Sequence, residues 1–183
     1  MSKNNFPHVI FLGSSGSGKS ECCKFLETQY GYYNFHPFGF AKRQYETLYR
    51  LPCGSLDTVE GKASKAPGMT VSYGEMMVRE FHFRREVDPL YVTRNFDVEL
   101  ISALSTRPVA LQAIRNIEEA HKIKSLGFSY VLIEIVGRGN SLSSDMYYEE
   151  IKSLLSENTQ LQVLENTESL NKLFLKLKVC LHF

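Results

Sequence analysis

HVIFLGSSGSGKSECC, residues 8 to 23, decides how this chain folds. Val9, Ile10, Phe11 and Leu12 follow one another without a polar break. Such a run suits a strand buried on both faces of a parallel sheet, where helices cover it above and below. Gly13-Ser14-Ser15-Gly16-Ser17-Gly18-Lys19-Ser20 comes next and fits the pattern of glycine, four residues, glycine, lysine and serine or threonine. Glycines at that spacing let successive backbone N–H groups curl around an anion. Lys19 is then placed to reach the outer phosphates and the Ser20 hydroxyl to ligate magnesium. A helix opening near Lys19 adds the positive end of its dipole. The stretch therefore reads as a site for a nucleoside triphosphate, and its position between a strand pattern and a helix pattern separates it from a glycine-serine linker.

A chain of 183 residues, 43% of them hydrophobic, buries one sizeable core and is expected to form one domain over 1–183. Its formal charge of +1 supplies no bulk attraction for nucleic acid or an anionic membrane, so a substrate has to be recognised locally. The short polar start and the brief apolar run after it match neither a signal peptide nor a membrane span, which points to the cytoplasm. The four cysteines show no metal-ligand or disulfide-framework spacing. Adjacent Cys22 and Cys23 fall in the helix after the loop and read as small core residues of a reducing compartment.

Further along, the pattern predicts a helix from about Lys19 to Gln29 with Cys23 and Leu26 toward the sheet, closed by Gly31. Tyr32 to Phe35 follows, and then a helix opening at 38–43 with Ala41, Tyr45 and Leu48 on one face and Pro52 beyond its end. Cys53 to Ser72 lacks apolar periodicity and reads as a loop or an abbreviated insertion. Helices are expected over Tyr73 to about Glu86 and Pro89 to about Leu104, the second capped by Asp88, with Val92, Phe96, Leu100 and Leu104 striped at four-residue spacing. Pro108 to Ala113 and Ser129 to Val136 read as strands around a helix over Asn116 to Leu126. A loop over 137–141, a helix over Asp145 to Leu155, a short strand over Leu161 to Leu164 and a last helix striped by Leu170, Leu173, Phe174, Leu177 and Leu181 complete the chain. Strands alternating with helices predict an α/β fold of three layers, with a mostly parallel central sheet flanked by helices. Ligands in such sheets sit outside the carboxyl ends of the strands, so Lys42, Arg43, Arg115 and Arg138, which follow predicted strands, suggest a second anion beside the first.

These residues resemble the bacteriophage deoxynucleoside monophosphate kinases, within the group of P-loop nucleoside monophosphate kinases. Besides the phosphate loop, Phe40-Ala41-Lys42 is similar to the family's Phe-Ala-x-x-Lys element, and Tyr73 to Phe81 to its Arg-x-Leu-Leu-Gln helix. Val87-Asp88-Pro89 is similar to Ile-Asp-Pro, Ala113 to Ala120 to Asp-Val-Arg-x-x-Asn-Glu, and Leu164 to Leu170 to Ile-x-Asn-x-x-x-Leu. Only the phosphate loop is specific alone; the others persuade by their order. The resemblance implies a kinase of nucleotide metabolism, with ATP and Mg2+ as cofactors. It would move the γ-phosphoryl group to a (deoxy)nucleoside 5′-monophosphate, a modified pyrimidine among the candidates. Lys19, Arg115 and Arg138 would carry the transfer, Arg138 from a lid. Gly13 to Ser20 with Asn166 and Thr167 would bind ATP, Ser20 would hold the metal, and Phe40, Lys42, Arg85 and Asp88 would line the acceptor side. Small helical acceptor-binding and lid segments would lie at about 40–104 and 137–145. Partners would be small nucleotides, with no membrane, nucleic acid disfavoured, a homodimer compatible, and the host cytoplasm as the location for a viral protein.

The chain departs from that family at Gln112 to Ile114, where an aspartate is expected shortly before the arginine. Either Ser20, phosphates and water hold magnesium alone, or Asp57, Asp88 or Glu134 contributes, or turnover is weak. The stretch from Cys53 to Ser72 is also short for an acceptor-binding insertion, and Arg79 or Arg84 is an alternative to Arg85. Two other readings therefore stand beside the kinase: a nucleotide-binding regulatory module with little turnover, and a kinase of nucleic-acid ends using the aromatic residues Tyr32, Tyr33, Phe35, Phe38 and Phe40.

Overall fold

The computed structural model describes residues 6–138 and 147–183. Its elements run β1 (His8–Leu12), α1 (Lys19–Tyr30), β2 (Tyr33–Phe35), α2 (Gly39–Leu48), α3 (Val59–Ala63), α4 (Tyr73–Val87), α5 (Tyr91–Thr106), β3 (Val109–Leu111), α6 (Ile117–Ser125), β4 (Tyr130–Val136), α7 (Tyr148–Ser156), β5 (Leu161–Glu165) and α8 (Leu170–Cys180). Among the described residues the strands form one five-stranded sheet in the order β2-β3-β1-β4-β5. Every pairing is parallel, with Val9 opposite Ala110 on one side and Val131 on the other. None of the described helices is long and apolar enough to cross a membrane. The expected α/β architecture is the one found.

The chain divides into two compact units, Met1–His36 with Asp97–Phe183, and Pro37–Phe96. In the first, alternate residues of the central strands serve opposite faces of the sheet. Val9, Phe11, Ile133 and Ile135 join Cys22, Cys23 and Leu26 of α1 and Leu173, Leu177 and Leu181 at α8 in one core. Glu134, on the other face of β4, meets α7 through Tyr148 and Lys152. Full burial of each large apolar side chain contributes about 1.5–3 kcal/mol, so this core is a main source of the unit's stability. Of the residues expected on the stripe of α8, Leu170 stays on the surface.

The second unit packs Tyr45, Leu56, Ala66, Tyr73 and Met77 together. Ser72 and Glu75 cap α4 reciprocally: the Ser72 hydroxyl accepts from the Glu75 N–H, and the Glu75 carboxylate accepts from the Ser72 N–H. Two features differ from the sequence reading. Leu48 is exposed, and Glu46 instead is buried on α2. The stretch 53–72 also contains a 3-10 turn, Ser55–Asp57, besides α3. Glu46 explains both, because its carboxylate accepts from the Leu56 N–H at 2.9 Å and anchors that turn beside the buried Leu56 side chain. A helix turn held by a distant carboxylate leaves no apolar period to read.

Candidate functional site

The phosphate loop sits between the carboxyl end of β1 and α1. Its glycines are forced by contact as well as by backbone angle. Gly13 has φ +134°, and a Cβ there would lie 2.4 Å from the Ile135 carbonyl oxygen. Gly18 has φ +108°, and a Cβ there would lie 2.8 Å from Asn166 Nδ2. Neither position admits a side chain, and both lie in the backbone region that L residues avoid. Gly18 is also the N-cap of α1 and supplies no side chain to bond the first N–H groups. Those groups have no partner within the helix and form a natural anion seat.

Lys19 lies back across the loop. Its Nζ donates to the Gly13 and Ser14 carbonyl oxygens at 2.7 and 2.6 Å and to Ser17 Oγ at 3.4 Å. Ser20 is exposed, and its hydroxyl donates to Gln112 Oε1 at 2.8 Å. Gln112 occupies the first position after β3 and donates from Nε2 to Asn34 Oδ1 at 3.2 Å. Thus the residue noted for its lack of charge touches the loop directly. Sequence reasoning missed Asn34, which stands 78 positions away from Gln112 in the chain.

Asn166, expected among the ATP-binding residues, is buried beneath the loop, where its Nδ2 donates to the Ser17 carbonyl at 2.8 Å. It braces the loop, and the exposed member of the pair is Thr167. Arg138 follows β4, where its carbonyl accepts from Ser14 Oγ at 3.3 Å and its guanidinium donates to the Glu168 carbonyl. The first contact ties the edge of the loop, and the second the β5–α8 connection, to the start of the β4–α7 connection. Residues 139–146, which include Gly139, Asn140, Ser141 and Asp145 of the expected lid and helix start, lie outside the described residues.

Arg115 is exposed just before α6. The Asn116 side chain caps α6 by accepting from the Glu119 N–H at 2.8 Å, while buried Glu119 accepts from the Arg115 N–H at 2.9 Å. Between Gln112 and Arg115 the chain turns through Ala113 at φ +62°, a left-handed position that costs a non-glycine residue about 1–2 kcal/mol. Strain of this kind persists where the surroundings impose it, here between a residue touching the loop and an exposed arginine.

The acids considered as substitutes for the missing aspartate are committed elsewhere. Glu134 accepts from the Tyr148 hydroxyl at 2.6 Å and pairs with Lys152 at 2.7 Å, on the α7 side of the sheet. Asp57 pairs with Lys42 at 2.7 Å, and Asp88 pairs with Arg94 at 3.1 Å, both in the second unit. Among the described residues no cluster of three or more His, Cys, Asp or Glu is placed to hold a metal ion. A metal held here would take the Ser20 hydroxyl as a donor from this chain and be carried largely by phosphate and water.

Of the residues expected on the acceptor side, Phe40 packs edge-on to Phe81 and Tyr91, and the Arg85 guanidinium lies 4.6 Å over the Phe38 ring. Asp88 is expected to cap the next helix, but α5 opens only at Tyr91; Asp88 instead ends α4 and accepts from the Leu90 N–H at 3.1 Å in the connecting turn. These three and Lys42 belong to the second unit, whereas Lys19, Ser20, Gln112, Arg115 and Arg138 belong to the first. The aromatic residues weighed as base platforms are packed: Tyr32 and Phe35 are buried, and Phe38 lies against Phe81. Near the loop, burial pushes the Cys22 thiol up to about 12, helped by the charge of Glu21, and burial likewise raises the Cys23 thiol well above its usual value. Both are inert packing residues, as their placement in α1 predicts.

No protein-family model matches the chain, and no curated protein matches it in sequence. Among solved structures, TT1252 from Thermus thermophilus is similar at 20% identity with a TM-score of 0.51, over 97% of this chain and 98% of that one. A gluconokinase from Sinorhizobium meliloti 1021 is similar at 14% identity with a TM-score of 0.47, over 97% of this chain and 93% of that one. At these identities the likeness to TT1252 concerns the fold: a parallel sheet flanked by helices, matched along nearly its whole length.

Proposed function

We propose that this chain is an ATP-dependent phosphotransferase that moves the γ-phosphoryl group to a (deoxy)nucleoside 5′-monophosphate, giving the diphosphate and ADP. The observation that carries the reading is the carboxyl end of the first unit's sheet. There a glycine-forced loop, an uncapped helix start and Lys19 stand together at the ends of β1 and α1. Phosphoryl transfer asks for positioning and charge stabilisation rather than covalent chemistry, and cationic groups with backbone N–H donors provide both.

Binding of a triphosphate would draw Lys19 Nζ from the Gly13 and Ser14 carbonyls to the outer phosphates, exchanging neutral acceptors for charged ones. Magnesium, when bound, would supply neutralisation of phosphate charge, with Ser20 Oγ as its donor from this chain. Arg115 and Arg138 would contribute charge to the transferring group, and Asn166 would hold the loop in shape from below. Lys42, Arg85, Asp88 and Phe40 are assigned to the acceptor by the order of their motifs.

The test is ADP release in a coupled assay with ATP and a panel of natural and modified monophosphates. Acceptor-dependent release with at least one of them is expected, and its absence from all of them overturns the reading. A regulatory nucleotide-binding module is the second reading, favoured by the neutral Gln112 against Ser20. Saturable ATP binding without acceptor-dependent ADP would favour it.

A further inference from the structure

The contact between Ser20 and Gln112 is one end of a longer relay. Asn34 Nδ2 donates to the Glu27 carboxylate at 3.4 Å, Gln112 Nε2 donates to Asn34 Oδ1 at 3.2 Å, and Ser20 Oγ donates to Gln112 Oε1 at 2.8 Å. The direction of this chain is determined from its far end. A carboxylate only accepts, so Asn34 must turn its amide nitrogen toward Glu27 and its oxygen toward Gln112. Gln112 must then turn nitrogen toward Asn34 and oxygen toward Ser20, which leaves the serine proton one acceptor and its lone pairs facing outward. Gln112 is buried, so its orientation is held by these partners.

Two consequences follow for a cation at Ser20. The hydroxyl is fixed as a lone-pair donor, which suits a metal. The charge that would attract the metal, however, sits two side chains away on exposed Glu27. Protein sites for magnesium commonly use one or two carboxylates besides substrate phosphates. A carboxylate next to Ser20 would also repel the phosphates of a metal-free nucleotide, and a neutral amide there does not.

We infer that Gln112 is a positioning residue that makes triphosphate binding nearly independent of magnesium, the Glu27–Asn34–Gln112 relay orienting Ser20 without placing charge beside it. The inference rests on the triphosphate reading of the loop. Its test is calorimetric titration of a non-hydrolysable ATP analogue into wild type and Gln112→Asp, each with magnesium and with EDTA.

The expected result is a wild-type affinity that changes less than about fivefold on removing magnesium, and a change at least about fivefold larger in Gln112→Asp. A wild-type change beyond that threshold, or an aspartate variant whose magnesium dependence equals the wild type's, overturns the inference. If Gln112→Asp does not fold by circular dichroism, the wild-type ratio decides alone. Wild type that binds the analogue in neither buffer defeats the triphosphate reading and this inference together, whereas strong binding that requires magnesium defeats this inference only.

Discussion

At the amino end of the sheet, Phe6, Tyr30, Tyr32 and Phe183 interlock: Phe183 stacks on Tyr30 with ring centres 4.0 Å apart, and Phe6 stands edge-on to Phe183 at 4.8 Å. At the carboxyl end, glycines, amides and a lysine gather instead. α1 joins the two ends, with Gly18 at the loop and Tyr30 in the aromatic cluster. Aromatic packing stabilises the first end without specifying a ligand. The second end keeps glycines at positive φ, an uncapped helix start and a strained, left-handed Ala113, features that make sense where an anion is held.

The comparison is tested most severely by removing the aromatic end. Tyr32 is buried, and its hydroxyl donates to the Pro7 carbonyl at 2.8 Å. Tyr32→Ala is expected to lower unfolding free energy by about 3–5 kcal/mol, the range for deleting a large buried aromatic. Nucleotide affinity of the remaining folded protein should be unchanged. Urea denaturation beside titration reads both, and a loss of affinity without a loss of stability would break the division.

At the other end, Asn116→Ala removes the cap of α6 and should cost about 1–2 kcal/mol. Arg115 lies directly before that cap, so triphosphate affinity should fall as well, a coupling that Tyr32→Ala should lack.

A smaller effect concerns His8. Its Nδ1 accepts from the Val109 N–H at 3.0 Å, and burial lowers its pKa. The folded chain thus favours neutral His8. Between the lowered folded value and the unfolded value near 6.5, the unfolded chain binds more protons, so stability falls as pH drops through that window. Thermal melting from pH 7.5 to 5 should show this slope, and His8→Gln should flatten it. An unchanged slope in the variant would remove His8 from the account.

The smallest expected change is at Ala113. Glycine relieves the left-handed strain but adds freedom to the unfolded chain, leaving a net gain from a few tenths to about 1 kcal/mol. A denaturation midpoint that moves down in Ala113→Gly would contradict the strain reading.

Much of this organisation was legible in the sequence because its signals are local. Consecutive apolar residues marked β1 and β4 within one residue of their observed ends, and Gly31 closed α1 as expected. The phosphate loop was legible because its glycines, lysine and serine lie within eight consecutive positions. What stayed hidden depends on partners far apart in the chain. The turn at Ser55–Asp57 depends on Glu46, β2 is a three-residue strand that exists by pairing with β3, and the relay to Ser20 joins Glu27, Asn34 and Gln112. Asn166 was placed correctly at the end of its strand, yet its burial under Ser17 follows from packing between β5 and the loop.

The central claim is that the carboxyl end of this sheet grips a triphosphate through Lys19 and the loop backbone. Its most direct test is calorimetric titration of ATP into wild type and Lys19→Ala, with folding checked by circular dichroism. The account predicts saturable one-to-one binding to wild type and an affinity about 10²-fold weaker in the variant, the loss of a charge-assisted contact worth up to about 3 kcal/mol. Equal affinity in the two proteins, or no binding by folded wild type, would contradict it.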